Sequence, residues 1–508
     1  MKDIKIKSAL ISVYSKEGLE PLARKLNDLG VKILSTGGTQ QYLESLGIPV
    51  HRVEDLTSYP SILDGRVKTL HPKVFGGILA RREADHQSQL DAYDIPEIDL
   101  VIVDLYPFEK TVQETRNEAD IIEKIDIGGI SLIRAAAKNF QDVVVVPSVN
   151  EYGQMEKLLD EKQGFTSLED RKNLAWKSFR VSAGYDDAIQ RYFAPMKEVE
   201  RFEVQFDGEQ ELRYGENPHQ KGFFYGPMED VFEKIGGKEL SYNNLVDVDA
   251  AVQLMAEFVG EPPTFAVLKH TNACGVAQSE TVLEAWKKAL AADPVSAFGG
   301  ILISNATIDF ATAEEINQLF YEVLIAPDFE EKAIELLTKK KKRIILRIKE
   351  FHRIKRQFKS LLNGVLVQDT DLSKEGSADL KTVTKVAPTE DQIADLLFAN
   401  VCAKHLKSNT IALVKNRQLI GMGCGQTSRV DALRQAIAKA ESFGFDTRDA
   451  VMASDAFFPF PDCVEIADQA GVKAVIHPGG SIKDQESIDY CDEHGMAMVV
   501  TGVRHFKH

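Results

Sequence analysis

Lys269-His270 is the pair of residues best suited to acid–base chemistry in the C-terminal part of the chain. The pair directly follows the apolar stretch 264–268 and precedes a polar segment that contains glycine. Histidine titrates near neutral pH, so an imidazole presented at a strand end can take a proton from a substrate. A lysine next to a histidine is more often exposed or structural. The position at a strand end is what favours Lys269 and His270 as an acid–base pair.

A second group of residues, near the N-terminus, is suited to binding phosphate. The segment Ser35-Thr36-Gly37-Gly38-Thr39 follows a predicted strand and opens a predicted helix. Glycines let a phosphate approach backbone N–H groups, and hydroxyls and the helix dipole add to the attraction. Ser12 and Lys16 end another predicted strand at the same sheet edge, where ligands collect. The glycine segment alone fits a plain turn equally well, and the convergence of two loops favours an anion site.

Three more N-terminal segments could complete such a site. Arg66 and Lys68 are two residues apart, so an extended loop would point both in the same direction. Tyr106 follows an apolar strand, and Asp126 precedes two glycines and a predicted helix that carries Lys138. Each segment alone also fits a solvated loop or a helix cap. Together they would surround a phosphorylated substrate with cations, a phenol and a carboxylate.

The C-terminal part holds further segments that combine polar and aromatic residues. They are residues 213–220, Ser408-Asn409, residues 425–429 and residues 454–460. The last has three aromatic residues and lies in a predicted loop before a helix. A core plug and a platform for a flat ring explain it equally well, since ligand pockets are typically apolar with few polar groups.

The elements that must position these residues follow from the apolar pattern. The first 150 residues alternate predicted strands with helices, which is typical of a parallel α/β sheet covered on both faces. Strands are predicted at residues 9–15, 31–34, 98–105 and 143–146, and a long helix at 166–193. Pro195 and the charged residues 197–201 indicate a linker. Two mixed α/β halves follow, with strands predicted at 264–268, 300–303, 323–326, 410–414, 472–476 and 496–500.

Composition excludes several classes of protein. The chain has 508 residues, of which 44% are hydrophobic and 27% charged, as expected for a globular protein of about three domains. It has no apolar run of about 18 residues and no apolar leader at its charged start, so we expect neither a membrane span nor a signal peptide. A net charge of −16 argues against a general nucleic-acid coat. Five scattered cysteines without a C-x-x-C pair favour a reduced, cytoplasmic protein without structural zinc.

Taken together and in order, these motifs resemble one family along the whole chain. To the segments above, the resemblance adds Arg-Val-Lys-Thr-Leu-His-Pro, Leu-Tyr-Pro-Phe, Asp-Ile-Gly-Gly, Ser-Ala-Phe-Gly-Gly and a terminal Arg504-His505-Phe506. The family is the bifunctional purine-biosynthesis enzymes that combine AICAR (phosphoribosylaminoimidazolecarboxamide) formyltransferase with IMP cyclohydrolase. Such an ordered set of motifs is very specific.

The resemblance implies an architecture that spacing alone could not give. It implies an α/β fold with a methylglyoxal-synthase-like cyclohydrolase domain over residues 1–196, followed by two cytidine-deaminase-like formyltransferase subdomains over 197–370 and 371–508. The deaminase zinc signature is absent from the sequence, so no zinc chemistry is expected. The resemblance further implies a homodimer with shared formyltransferase sites, and small-molecule substrates rather than nucleic acid or membrane.

The implied first reaction transfers a formyl group from 10-formyltetrahydrofolate, a co-substrate, to the 5-amino group of AICAR. This product, FAICAR, closes to IMP with loss of water in the second reaction, and neither step requires a redox or metal cofactor. For formyl transfer, the resemblance implies His270 as base, Lys269 as its cationic neighbour and Asn409 as the formyl-orienting residue. The implied nucleotide and folate contacts are Arg213, Tyr214, Phe298, Glu322, Ser428, Arg429, Phe457, Phe458, Asp462, Arg504 and Phe506.

For cyclisation, the resemblance implies Asp126 and Lys138 as a proton-transfer pair, with Lys68 and Tyr106 as donors to the oxyanion. The implied nucleotide and phosphate contacts are Ser12, Lys16, Ser35, Gly37, Gly38, Thr39, Arg66, Thr69, Gly128 and Gly129.

Three features depart from the family pattern. Asp104 stands where relatives commonly have asparagine, and Ala273 stands where they commonly have a proline that would stiffen the Lys-His loop. The basic segment 339–359 matches the family poorly in its second part. A nucleic-acid-binding or scaffold protein that uses this segment is the alternative function, although a charge run is usually a solvated face.

Overall fold

The computed structural model describes residues 3–60, 62–194, 202, 204, 206, 208–351 and 353–508 of the chain, the side chain at position 64 excepted. The chain divides into two compact units, Met1–Arg201 and Phe202–His508. The predicted linker at Pro195 and residues 197–201 lies outside the described residues.

The first unit is built on a five-stranded parallel sheet. Its strands, with two short ones outside the sheet, are β1 (Ile4–Lys5), β2 (Ser8–Val13), β3 (Lys32–Ser35), β4 (His51–Arg52), β5 (Leu100–Asp104), β6 (Val144–Val146) and β7 (Phe165–Thr166). The sheet order is β4-β3-β2-β5-β6, and every pair is parallel. Strands β2, β5 and β6 are buried on both faces because helices cover the sheet. The predicted parallel α/β sheet is therefore confirmed.

Ten α-helices accompany this sheet among the residues described for the first unit. They are α1 (Leu19–Asp28), α2 (Gly37–Ser45), α3 (Val53–Thr57), α4 (Pro72–Leu79), α5 (Ala84–Ala92), α6 (Phe108–Glu114), α7 (Glu118–Ile122), α8 (Gly128–Lys138), α9 (Tyr152–Lys162) and α10 (Leu168–Phe193). Helix α1 buries Leu19, Leu22, Ala23 and Leu26, the residues at helical spacing in the sequence. Helix α10 begins with a capping box between Ser167 and Asp170.

The second unit is organised around one twelve-stranded mixed sheet. The strands of this unit are β8 (Glu209–Leu212), β9 (Gly222–Tyr225), β10 (Phe232–Gly236), β11 (Thr264–Lys269), β12 (Asn272–Gln278), β13 (Ile301–Ser304), β14 (Val323–Ala326), β15 (Ile344–Ile348), β16 (Arg356–Leu361), β17 (Gly364–Asp369), β18 (Lys381–Thr382), β19 (Ile411–Lys415), β20 (Gln418–Gly423), β21 (Val451–Ser454), β22 (Ala474–His477) and β23 (Ala497–Val500). The sheet order is β10-β15-β14-β13-β11-β12-β20-β19-β21-β22-β23-β18. Strands β8 and β9, and likewise β16 and β17, form separate hairpins.

Nine α-helices belong to the described part of this unit. They are α11 (Met228–Val231), α12 (Tyr242–Met255), α13 (Val282–Ala292), α14 (Phe310–Ile316), α15 (Glu331–Leu337), α16 (Glu390–Lys404), α17 (Arg429–Ser442), α18 (Asp462–Gln469) and α19 (Asp484–His494).

The two halves of the large sheet repeat one order of elements. Each half has a helix (α12 or α16), an antiparallel hairpin (β11–β12 or β19–β20), and then three alternations of helix and strand. The last three strands of each half are parallel to one another. The halves meet through β12 and β20, which pair antiparallel. The sequence predicted two mixed halves but missed several of their strands, including β15 and β21. It also missed β12 and β20, the second strands of the two hairpins, which contain glycines and polar residues that lower strand propensity.

The basic segment 339–359 does not form one continuous basic surface. Arg343 is buried, and its guanidinium donates to Asn317 Oδ1 at 2.8 Å and to carbonyl oxygens of the same loop. Arg347 pairs with Glu233 and Asp328, and Arg353 pairs with Glu257 at 2.6 Å. These arginines serve internal contacts of the fold, which leaves them unavailable as a phosphate-binding run.

Candidate functional site

The carboxyl ends of β2, β3 and β5 bring the N-terminal motifs to one sheet edge. Lys16, just after β2, donates from Nζ to the carbonyl oxygens of Val13 at 2.6 Å and Tyr14 at 3.0 Å. Partial burial lowers the pKa of Lys16, and the nearby Lys68 adds to this effect while Asp104 opposes it. A second cation therefore lies close to Lys16, as a site for a multiply charged anion requires.

The hydroxyls of the Ser-Thr-Gly-Gly-Thr segment are used within the protein. Ser35 Oγ donates to Ile11 O at 2.7 Å, Thr36 Oγ1 to Glu54 Oε1 at 2.5 Å, and Thr39 Oγ1 to Val13 O at 3.0 Å. All three residues are buried. The segment thus anchors the start of α2 to the sheet, because its three hydroxyls donate to acceptors within the protein. The backbone N–H groups of the first turn of α2 remain the donors for an anion.

Lys68 lies at the start of α2. A β-carbon on Gly37 would be 2.8 Å from Lys68 Nζ, and Gly37 has a φ of +57°. Thr69, next in the chain, lies against α8: a β-carbon on Gly128 would be 3.1 Å from Thr69 Oγ1. The loop therefore places one cation at the N-terminus of α2 and one hydroxyl at the N-terminus of α8. Arg66, in contrast, is exposed and pairs with Glu123.

Asp126 and Tyr106 lie beside this cation. Asp126 Oδ1 accepts the N–H of Gly129 at 2.6 Å, and the carboxylate is also bonded to the backbone N–H of Tyr106. Burial raises the pKa of Asp126, although these N–H groups and Lys68 oppose the shift. Partial burial, followed by the charge of Asp126, raises the pKa of Tyr106. The phenol therefore keeps its proton and can donate a hydrogen bond, while the carboxylate is a stronger base than an exposed aspartate.

The fold places Lys138 at the far end of α8 from Asp126. Helix α8 starts beside Asp126 with Gly128 and ends with Lys138. Ten residues of α-helix span about 15 Å, so the two groups lie at opposite ends of the helix. Within one chain Asp126 and Lys138 do not form a direct pair.

Asp104, the departure from the family pattern, caps the loop after β2. Its Oδ2 accepts the N–H of Ser15 at 2.8 Å, a bond that an asparagine oxygen could equally accept. Burial raises the pKa of Asp104, while Ser15 and Lys16 oppose this. The negative charge of Asp104 is thus partly compensated by Lys16, which the sequence predicted at the same edge of the sheet.

In the second unit, His270 lies in a tight turn rather than in a loose loop. Strands β11 and β12 are joined by the two residues His270 and Thr271, since Lys269 and Asn272 are paired. The imidazole is exposed, and Lys269 Nζ donates to Phe298 O at 2.8 Å. Ala273 is buried in β12 opposite Leu268. The position where relatives commonly have proline is therefore part of a strand and not of a loop. The pair that was predicted to perform acid–base chemistry is held by a hairpin.

Asn409 is partly buried and belongs to a polar cluster around the buried Arg429. Its side-chain N–H groups donate to Gln426 O at 3.0 Å and Thr427 O at 3.3 Å, and its Oδ1 accepts from Arg429 at 2.9 Å. The Arg429 guanidinium is buried, and it also donates to Ser454 Oγ at 2.8 Å and pairs with Asp455. The cluster fixes the orientation of the Asn409 amide by leaving neither end without a partner.

Contacts connect this cluster to the Lys-His turn and to the end of the chain. Cys424 Sγ lies 3.5 Å from Oδ1 of Asn272, the residue after the turn, and Asp455 O accepts the N–H of His505 at 3.2 Å. His505 is buried, with Nδ1 2.6 Å from Asp371 and Nε2 2.9 Å from Glu375. The terminal segment is thus anchored beside Arg429.

The predicted aromatic contacts separate into two kinds. Phe298, Phe457 and Phe506 are exposed, and the Arg504 guanidinium lies 5.0 Å from the centre of the Phe506 ring. Phe458 is fully buried against His477, with ring centres 4.8 Å apart. Of the two explanations for this aromatic segment, the core plug holds for Phe458 and an accessible ring surface for Phe457.

The remaining predicted contacts have local partners. Ser428 is the N-cap of α17, and Asp462 Oδ1 accepts the N–H of Cys463 at 2.8 Å at the start of α18. Glu322 pairs with Lys238 at 2.5 Å, and the Arg213 guanidinium lies 4.6 Å from the centre of the Tyr214 ring.

Three residues of this region were not predicted from the sequence. Asp247 accepts the N–H of Thr271 at 2.8 Å, Asp455 pairs with Arg429, and His505 is buried between Asp371 and Glu375. Asp455 lies within a quoted motif, but only the fold shows that it pairs with Arg429. Within the described part of the chain, no cluster of three or more histidine, cysteine or acidic residues is arranged to hold a metal ion. The described helices include none with the length and apolarity that a membrane span needs.

Comparison with known proteins places these features in one family. A family model described as AICARFT/IMPCHase bienzyme matches residues 136–439, and one described as MGS-like domain matches residues 18–131. The bifunctional purine biosynthesis protein PurH of Bacteroides thetaiotaomicron is 61% identical over 505 residues, which cover 99% of this chain and 99% of that protein. The proteins of the same name from Aquifex aeolicus and Chlorobium chlorochromatii are 48% and 47% identical, over 98% and 100% of this chain and 100% of each relative.

The expected alternative, a nucleic-acid-binding or scaffold protein, has no support in these comparisons or in the dispersed arginines of the basic segment. The chain belongs to the AICARFT/IMPCHase bienzyme family, with an MGS-like N-terminal domain, and is a bifunctional enzyme of purine biosynthesis that has AICAR formyltransferase and IMP cyclohydrolase activities.

Proposed function

We propose that the two reactions use separate sites, cyclisation at the parallel-sheet edge of the first unit and formyl transfer at the Lys-His turn of the second. The observation that supports this division is the grouping of Lys16, Lys68, Tyr106 and Asp126 in one unit, and of the His270 turn and the Asn409 cluster in the other.

In formyl transfer, the amino group of AICAR attacks the formyl carbon of 10-formyltetrahydrofolate. This amine is conjugated with the ring and is a poor nucleophile, so removal of its proton during attack lowers the barrier. His270 takes that proton, and the Lys269 ammonium stabilises negative charge that develops on the formyl oxygen. The bond between the formyl carbon and N10 of the folate then breaks, N10 takes up a proton from the His270 imidazolium, and tetrahydrofolate leaves. Lys269 is half-buried, and its ammonium donates to Phe298 O. This contact limits how far the ammonium must move during the reaction.

The amide of Asn409 orients the formyl group in this proposal. Its contacts with Arg429 and two carbonyls define its direction, so substrate binding must replace one of these bonds. Phe298, Phe457 and Phe506 offer exposed rings on which the flat rings of folate or nucleotide can pack. Arg213 supplies positive charge for the nucleotide phosphate, and Arg504 with Phe506 holds the nucleotide.

In cyclisation, the carboxamide nitrogen of FAICAR attacks the formamido carbon, and the former formyl oxygen leaves as water. The attack is intramolecular, so holding the reactive rotamer accounts for much of the acceleration. Asp126, whose pKa is raised by burial, accepts the proton of the attacking nitrogen. Tyr106 and Lys68 donate to the developing oxyanion, and the N-terminus of α2 with Lys16 binds the phosphate.

Lys138 completes the cyclisation site only if a second copy of the chain supplies it. The resemblance pairs Lys138 with Asp126, whereas α8 separates them by about 15 Å. A homodimer that places Lys138 of one copy beside Asp126 of the other reconciles the two observations.

A separate observation supports the homodimer. Every residue of β16 and β17 is exposed, including Phe358, Val365 and Val367, which the strand register places on one face of the hairpin. An isolated two-stranded hairpin is marginally stable in water. A second copy that covers this face would stabilise the hairpin and provide for formyltransferase sites shared between subunits.

The repeated order of elements supports two cytidine-deaminase-like subdomains in the formyltransferase region, with boundaries near residues 197–370 and 371–508. Each half has the hairpin followed by three helix–strand alternations.

The five free thiols agree with a reduced, cytoplasmic location.

The assignment is tested with AICAR, 10-formyltetrahydrofolate and purified FAICAR in parallel assays on the full chain. We expect His270→Ala to reduce formyl transfer by at least about 10²-fold, the contribution of a positioned base, and to leave cyclisation of added FAICAR unchanged. Lys68→Ala should abolish cyclisation and allow FAICAR to accumulate. Loss of both reactions in either folded variant would contradict separate sites.

A further inference from the structure

The turn that carries His270 has an unusual backbone conformation. Both of its residues have positive φ, +53° at His270 and +65° at Thr271. Two-residue hairpins favour such turns, but the positions normally hold glycine or asparagine. A β-branched residue such as threonine is a genuine outlier there. Something outside the turn must therefore stabilise it.

Asp247 in α12 makes that contact. Its Oδ1 accepts the N–H of Thr271 at 2.8 Å, and the carboxylate is also bonded to the N–H of His270. One side chain thus holds both backbone N–H groups of the turn. Burial raises the pKa of Asp247, while these two bonds and the nearby His270 oppose the shift.

The second half of the sheet repeats this arrangement without a histidine. The turn between β19 and β20 consists of Asn416 and Arg417, with φ of +51° and +53°. Asp395 in α16 accepts their N–H groups at 2.8 and 2.6 Å. The carboxylate-held turn is therefore a feature of the repeated fold, and the first half differs by presenting an imidazole on it.

We propose that Asp247 is a positioning residue for formyl transfer, because its carboxylate holds the His270-Thr271 turn in the conformation that aims the imidazole at the substrate amine. This inference depends on the proposed role of His270 as the base. A positioned base loses efficiency when its support is removed, and misplacement by about 1 Å can cost 10²-fold in rate.

The first test is Asp247→Ala in the full-length enzyme. We expect kcat of formyl transfer to fall by about tenfold to a hundredfold, with a much smaller change in KM for AICAR. Asp395→Ala, the matched control, removes the same contact from the other turn, which lies at the far end of β12 from His270, and should keep kcat near the wild-type value. Equal loss in both variants would mean that the carboxylate only stabilises the fold, and would overturn the proposal.

Rescue by glycine is the sharper test. Glycine adopts positive φ without a steric penalty, so Thr271→Gly added to Asp247→Ala should recover most of the lost kcat. Asp247→Asn keeps one acceptor oxygen, should retain intermediate activity, and replaces the alanine variant if that variant does not fold. Failure of Thr271→Gly to raise kcat in either background would contradict a role through turn conformation.

Hydrogen exchange separates this inference from the proposed base. Peptides that cover residues 265–275 should exchange faster in the Asp247 variant than in wild type. Unchanged exchange in the Asp247 variant would overturn the role of Asp247, and so would faster exchange with an unchanged kcat. The role of His270 as the base would still stand in both cases, provided that His270→Ala loses formyl transfer. Retained formyl transfer in His270→Ala would instead refute the base itself.

Discussion

The ammonium of Lys68 lies 2.8 Å from the position that a β-carbon on Gly37 would occupy. Gly37 also has a φ of +57°, which disfavours any side chain at that position. A methyl group at position 37 would therefore push the Lys68 ammonium away from the place that it occupies at the N-terminus of α2.

This contact predicts the effect of Gly37→Ala. The methyl group should displace the Lys68 ammonium and reduce cyclisation of FAICAR by about 10²-fold, comparable to the loss of one oxyanion donor. Formyl transfer should be unchanged in the same enzyme. Gly153→Ala is the control, since a β-carbon there meets nothing within 4 Å and residue 153 is helical. Wild-type cyclisation in Gly37→Ala would show that Lys68 does not act at this helix end.

Subunit complementation tests the position of Lys138. Asp126→Asn and Lys138→Ala should each be inactive in cyclisation, and refolding an equal mixture should restore about a quarter of wild-type activity, because half of the dimers then carry one intact shared site of two. The measurement is FAICAR turnover after co-refolding, with each variant refolded alone as control. If both groups acted within one chain, the mixture would stay inactive.

The exposed hairpin predicts a second interface effect. Val367→Glu places a charge beside Phe358 on the apolar face of β16 and β17, so it should shift sedimentation from dimer to monomer and reduce formyl transfer. Gln368→Glu, one residue further on and on the opposite face, adds the same charge and should leave the dimer intact. If Val367→Glu and Gln368→Glu both sediment with the mass of the wild-type dimer, this face of the hairpin is not the contact between copies.

His505 predicts a pH-dependent stability. Burial opposes the charge on His505, but Glu375 and Asp371 outweigh it and raise the pKa of the imidazole. The stabilisation should be complete below the unfolded pKa of about 6.5 and should be lost as pH rises through the higher folded pKa. The Tm difference between wild type and His505→Gln should therefore shrink from pH 6 towards pH 9.

The exposed His508 provides the control for this series. His508→Gln should lower Tm little at either pH, because residue 508 has no carboxylate partner among the described contacts. A His505→Gln effect that stays constant with pH would mean that the imidazole acts by shape and not by charge.

Local patterns in the sequence were sufficient for the parallel sheet of the first unit. Runs such as the strand Leu100–Asp104 are apolar throughout because helices cover both sheet faces, and the carboxyl ends of parallel strands necessarily share one edge. The grouping of Lys16 with the Gly37 segment was therefore predictable, as was the family, which the ordered motifs identify along the whole chain.

Tertiary structure decided which of these side chains are available for chemistry. Ser35 and Thr39 looked like ligand donors, but their hydroxyls bond to β2 carbonyls, a choice that depends on the distance between strands and not on residue type. Likewise, Phe457 and Phe458 are adjacent phenylalanines that the sequence does not distinguish. Packing in the folded chain buries the ring of Phe458 and leaves that of Phe457 exposed.

Long-range partnerships were equally invisible in the sequence. Asp247 lies 24 residues before Thr271, and Asp371 and Glu375 lie more than 100 residues before His505. No local periodicity links such residues, because chain topology brings them together and burial then makes the hydrogen bonds necessary. The sequence by itself determined the motifs and the strands that carry them; the fold decided how the backbone turn of His270 is held and what surrounds each charge.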